Sequence, residues 1–174
     1  NCSSNYIYSP DSTTYERLLR LKHQSIFNSN SKISNFPLED QIVFILKCLS
    51  NTNPEDGLLD NFMMKPLEPC NKIKKENYLL TKAIKDDNDV FYWFIKEHIS
   101  QLDAVKSSFR TIASEIKSAF LKLNQEGYDQ FEIFKQLTDW IMKEHLLPAS
   151  YYQAAHIIVS YFVQSCEVFD EISK

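Results

Sequence analysis

Along most of this chain, apolar side chains return every three or four positions, the period of one face of an α-helix. The stretch Ser12-Thr-Thr-Tyr-Glu16 carries the spacing of a capping box ahead of Leu18, Leu19 and Leu21, which predicts a helix over about 12–26. A polar connector follows at 28–35. Pro37, with Glu39 and Asp40 behind it, then opens a segment whose apolar face is Ile42, Val43, Ile45, Leu46 and Leu49. Residues 51–57 close that helix. The span 58–74, with Pro66 and Pro69, reads as irregular around a short helix at Leu59–Met64.

Beyond Glu76 the helical period holds to the end. Tyr78, Leu79, Lys82, Ala83 and Ile84 predict a short helix, the polar run Asp86–Asp89 a break, and Val90 to about residue 101 a second helix. Asp103 stands where a cap would, ahead of the stripe Phe109, Ile112, Ile116, Ala119, Phe120 and Leu123. Gly127 falls at the position that follows a helix. Asp129 restarts the pattern with Ile133, Phe134, Leu137, Trp140 and Ile141, and Pro148 precedes a last helix over 149–169. Ile157-Ile-Val-Ser-Tyr-Phe-Val163 is β-branched and aromatic enough for a strand. However, no Gly, Pro or turn cluster interrupts 149–174, and strands average only about 5–6 residues. A helix apolar nearly all round is a central, buried one. The expected fold is therefore all-α, a single helical bundle of about six to eight helices with a buried C-terminal helix at its centre.

Composition sharpens this. The 174 residues hold only two glycines, Gly57 and Gly127. Phosphate loops, dinucleotide fingerprints and nucleophile elbows need several closely spaced glycines, and hairpin-rich β folds use them in turns. The net charge of −4 gives no general attraction to nucleic acid or acidic lipid. The four cysteines lack a C-x-x-C pair and no signal peptide is visible, so reduced thiols and a cytoplasmic location are expected. No apolar run is long enough for a membrane span. The chain begins with Asn1 rather than Met, which suggests the C-terminal part of a longer protein. Residues 1–36 would be its lead-in helix and linker, 37–100 a variable helical part and 101–174 the terminal helices.

Candidate chemistry is sparse. Glu97-His98 and Glu144-His145 could suggest a metal, but adjacent helical residues point about 100° apart, whereas ligating helices space their donors at i, i+3 or i+4. Cys166 and His156 lie ten residues apart on one predicted helix, about 15 Å along its axis, too far to act together. No catalytic residue, metal or cofactor is expected. Lys65 to Lys85 is locally basic, which makes Lys72, Lys74 and Lys75 candidates for phosphate contact in an alternative, nucleic-acid-binding reading. Only Arg17, Arg20 and Arg110 are present, fewer arginines than a dedicated nucleic-acid domain usually carries.

The C-terminal third carries a resemblance. Asp129-Gln-Phe-Glu-Ile-Phe134, Asp139-Trp-Ile141 and Ile157–Phe169, above all Phe-Val-Gln-x-Cys-Glu-Val-Phe, resemble the C-terminal domain of effectors from bacterial three-component systems built around an ABC-type or SMC-like ATPase. The Lamassu anti-phage systems are among them. Ser165 stands where that family is associated with Asn, and residues 1–100 add nothing to the likeness. The resemblance implies a non-catalytic assembly module, with the effector activity upstream. Its implied partners are the ATPase and a small middle component, with self-association as a further expectation. On this reading Gln164, Glu167, Phe169, Tyr161 and Trp140 are the interface candidates. Gln164 and Glu167 are placed where packing hands over to surface, Gln164 with an amide that needs partners at both ends and Glu167 as an acceptor.

Overall fold

The computed structural model describes residues 37–51, 67–103, 108–165 and 168–172. The chain divides at Phe36–Pro37 into two units, and the described residues all belong to the second. The helices expected at 12–26 and Leu59–Met64 lie outside the described residues. Among those described there are five α-helices and no strand: α1 (Pro37–Ser50), α2 (Tyr78–Asp103), α3 (Ser108–Gln125), α4 (Gln130–Glu144) and α5 (Tyr152–Ser165). Short 3-10 turns at Pro69–Asn71, Lys75–Asn77 and Ala149–Tyr151 join them. The architecture is all-α, as the periodicity predicts.

The last helix is the hub. α5 packs on α2, α4 and α1 and touches α3. Every residue from Ile157 to Val163 is buried, so the run that resembles a strand is the helical axis of the core. Its aromatics are met from several helices: Tyr92 of α2 lies 5.2 Å from Tyr161, and Phe109 of α3 stacks on Phe162 at 6.0 Å, centroid to centroid.

Two boundaries follow the local chemistry. Asp129 caps α4, its carboxylate accepting from the Glu132 N–H at 2.8 Å. Gly127 takes the left-handed backbone (φ 79°) after α3 that glycine adopts without strain. The α4–α5 turn uses the same device with a less suitable residue. Leu146 stands at φ 49° while the Leu147 N–H reaches back to the Met142 carbonyl at 2.9 Å. That six-to-one closure ordinarily recruits glycine at the preceding position.

Three expectations are corrected. The polar run 86–89 does not break a helix: α2 is one helix of 26 residues. Its buried stripe passes through Leu80, Ile84, Asn88, Ile95 and Ile99, so Asn88 occupies a core position in register. This merging lowers the helix count below six to eight among the described residues. The last helix does not start at 149, because Pro148 leads into a 3-10 turn and α5 begins at Tyr152. Nor does it run to 169. It stops at Ser165, and Phe169, at φ 60°, folds back into the core with its ring edge-on to Phe120 at 5.4 Å.

Candidate functional site

α5 is buried too completely to satisfy its own polar atoms, so the neighbouring elements do it, in two places. Halfway along, Asp87 of α2 is the centre of a polar cluster. One of its carboxylate oxygens accepts from Ser160 Oγ at 2.7 Å and meets His156 Nδ1 at 2.8 Å, while Asn88 Nδ2 donates to the Ser160 carbonyl at 2.9 Å. The His156 ring also stands against Phe134 of α4, 4.7 Å between centroids. Ser, His and Asp together suggest a hydrolase, but the order is wrong. A catalytic histidine must lie between the serine it deprotonates and the aspartate that orients it. Here the aspartate lies between the other two, and Ser160 is fully buried. The arrangement can clamp α2 to α5; it cannot activate a nucleophile.

The second place is the C-terminal end of α5. In a continuing helix the carbonyls of Val163 and Gln164 would accept from residues 167 and 168. They have other partners: Lys72 Nζ donates to the Val163 carbonyl at 2.8 Å, and the Leu67 N–H to the Gln164 carbonyl at 3.0 Å. An ammonium at a helix C-terminus also meets the negative end of the helix dipole. The segment that delivers Lys72 is held in turn. Gln130, at the start of α4, donates through Nε2 to the Lys72 carbonyl at 2.7 Å. Its Oε1 accepts from the Lys74 N–H at 2.8 Å and from Asn77 Nδ2 at 3.5 Å. On the far side the Ile172 N–H donates to the Asn71 carbonyl at 2.8 Å. Residues 67–77, the start of α4 and the chain after α5 thus form one clasp around the end of the hub helix.

That clasp is built from the segments that carried the sequence likeness, Asp129–Phe134 and Ile157–Phe169, and it joins them to residues 67–77. A comparison with protein families bears on the same residues: the model of C-terminal domain 11 of the ABC-three component (ABC-3C) systems matches residues 29–169. The chain belongs to this family. Neither a curated protein nor a solved structure matches it. The match reaches well before the C-terminal third, so helices α1 and α2 are part of the ABC-3C domain as much as α4 and α5.

Within the ABC-3C domain the expected interface residues separate. Tyr161 and Phe169 are buried, and neither is presented to a partner. Trp140 is half-buried against the core. Gln164 is half-buried and takes part in the clasp through its backbone carbonyl. Glu167 lies outside the described residues. Of the three lysines, Lys72 is buried with its ammonium turned inward, so it is not at hand for a phosphate, whereas Lys74 and Lys75 are exposed. Of the two Glu-His pairs, His98 meets the Phe94 carbonyl of its own helix at 2.9 Å, and His145 ends α4. No group of three metal-ligating side chains gathers among the described residues. Burial pushes the Cys48 thiol up, away from the thiolate that a nucleophile needs.

What the sequence reading missed is on the outside. Tyr78, Leu79 and Phe131 are 66%, 76% and 54% exposed. Tyr78 and Leu79 helped to predict the helix, but its buried stripe runs through Leu80 and Ile84 and leaves both outside. Phe131 could have been found: it falls outside the α4 stripe of Ile133, Phe134, Leu137 and Ile141. Gln130 binds both the Lys74 N–H and the Asn77 amide, so the 3-10 turn that leads into α2 meets the start of α4 at this end of the bundle.

Proposed function

We propose that this chain is the coupling domain of an ABC-3C effector in bacterial anti-phage defence. It would hold an effector activity encoded upstream to an SMC-like or ABC-type ATPase and a small middle component. Membership of the family over residues 29–169 is the observation that carries this reading. Chemistry favours binding over catalysis: the one Ser-His-Asp grouping described is part-buried in an order that cannot relay a proton, and burial pushes the Cys48 thiol up. A bundle closed around its hub, with large apolar side chains left outside, suits a module that works through its surface. No helix among the described residues is long and apolar enough to cross a membrane.

The reading is tested by purifying the chain with each of the other two subunits of its system. Co-elution with at least one of them at micromolar concentration is expected. Separate elution from both overturns the proposal.

A further inference from the structure

The exposed apolar side chains at the first turns of α2 and α4 do not stand in neutral surroundings. Lys74 and Lys75 stand exposed in the turn just ahead of Tyr78 and Leu79, while Lys82 and Lys85 follow Tyr78 on the outward face of the helix, four and seven positions on. All four lysines are exposed, and none of their ammonium groups is ion-paired among the described residues. Several acids nearby are engaged. Asp129 caps α4, Glu132 is 3.7 Å from Lys135, and Asp87 is turned inward to His156 and Ser160. Glu76, Asp86 and Asp89, the last exposed four positions beyond Lys85, remain on the strip. Four lysines against three acids leave it at +1, on a chain whose net charge is −4. Gln130 ties the turn that leads into α2 to the start of α4, so Phe131 and the first residues of α2 are held in place by the same side chain before anything binds.

We infer that this face, with Leu79, Tyr78 and Phe131 as anchors and Lys74, Lys75, Lys82 and Lys85 around them, docks an acidic amphipathic segment of a partner protein. The inference rests on the coupling reading above and names the chemistry of the partner. Apolar anchors would carry the affinity, and the exposed ammonium groups would select carboxylates and speed the encounter. A second copy of this chain fits poorly, because a two-fold contact through this face sets the same lysines against each other. Nucleic acid fits less well than an acidic protein. The strip has no arginine for bidentate phosphate contact, and Lys72 is used inside the fold.

The experiment titrates the full chain against the purified ATPase subunit and the purified middle component, at low and high salt. It compares wild type with K74E/K75E/K82E/K85E and with Leu79→Ser/Phe131→Ser. A Lys-to-Gln set at the same four positions covers the case in which charge reversal impairs folding, with circular dichroism as the check. The expected result is that one subunit binds and that salt weakens it. Affinity should fall about a hundredfold on charge reversal and at least about tenfold on loss of the anchors. Wild-type binding that the folded variants retain overturns this inference and leaves the coupling reading intact. No wild-type binding to either subunit overturns both. A dimer lost in the same variants, or a short DNA duplex bound by wild type and released by charge reversal, assigns the face elsewhere and also overturns it.

Discussion

α2 and α5 cross the same bundle and solve opposite problems. α2 is 26 residues long and one-sided: its Leu80–Ile99 stripe is buried, and its other face carries Tyr78, Leu79, Lys82 and Lys85 to the surface. α5 is 14 residues long and buried almost all round. A one-sided helix leaves half of its polar atoms to water. A helix without a wet side must import partners, and α5 imports Asp87 and Asn88 in the middle and Lys72 and the Leu67 N–H at its end. Polar residues on α5's neighbours therefore bear on stability, while similar residues on the outer face of α2 are free for binding.

Substitutions can break that contrast, and the largest effect should come from the hub itself. Ile158→Ala opens a cavity in a fully buried helix and should cost about 3–4 kcal/mol in urea unfolding. Ala in place of Leu79 on the outer face of α2 should change stability by less than about 0.5 kcal/mol. Next is Asp87→Ala, which strips His156 and Ser160 of a shared charged partner in a part-buried site. A loss of about 2 kcal/mol is expected, and it should not be recovered by Asp87→Leu. The lysines give the sharpest test of the comparison. Lys72→Met should cost about 2 kcal/mol by leaving the Val163 carbonyl without its ammonium. Lys74→Glu and Lys75→Glu, two and three residues on, should melt like wild type within about 0.5 kcal/mol. Equal effects at 72 and 74 would remove the distinction between clasp and surface. The smallest effect has the opposite sign. Leu146→Gly relieves a left-handed backbone at a side chain 91% exposed, and should raise stability by up to about 1 kcal/mol.

These residues also mark how far the sequence could be read. Gly127, Asp129 and the stripes of α3 and α4 are local signals, and the fold uses them as they stand. Asp86–Asp89 looked like a break because Asp and Asn are poor helix formers, at a cost of roughly half a kcal/mol each. Two of the four are repaid by α5, about seventy positions away, which no local pattern displays. The end of α5 is set the same way, since its last carbonyls are claimed by residues 67 and 72. Tyr161 and Phe169 looked like interface because aromatic residues suit both a core and a contact surface, and composition cannot separate the two. Lys72 looked like its neighbours for a similar reason. A buried lysine at a helix end and an exposed one on a turn are the same letter.

The bond from Lys72 to Val163 spans 91 positions. During synthesis the segment that forms the clasp emerges long before the helix it is to close. At about 5–20 residues per second, Lys72 waits roughly 5–18 s for its acceptor. Until then α1, α2, α3 and α4 have apolar faces and no hub to bury them against. The bundle therefore closes only once α5, the last of its described helices, has emerged. A ribosome stalled anywhere before Ile157 would hold a set of amphipathic helices with nothing at their centre, and that intermediate is the one a chaperone would meet.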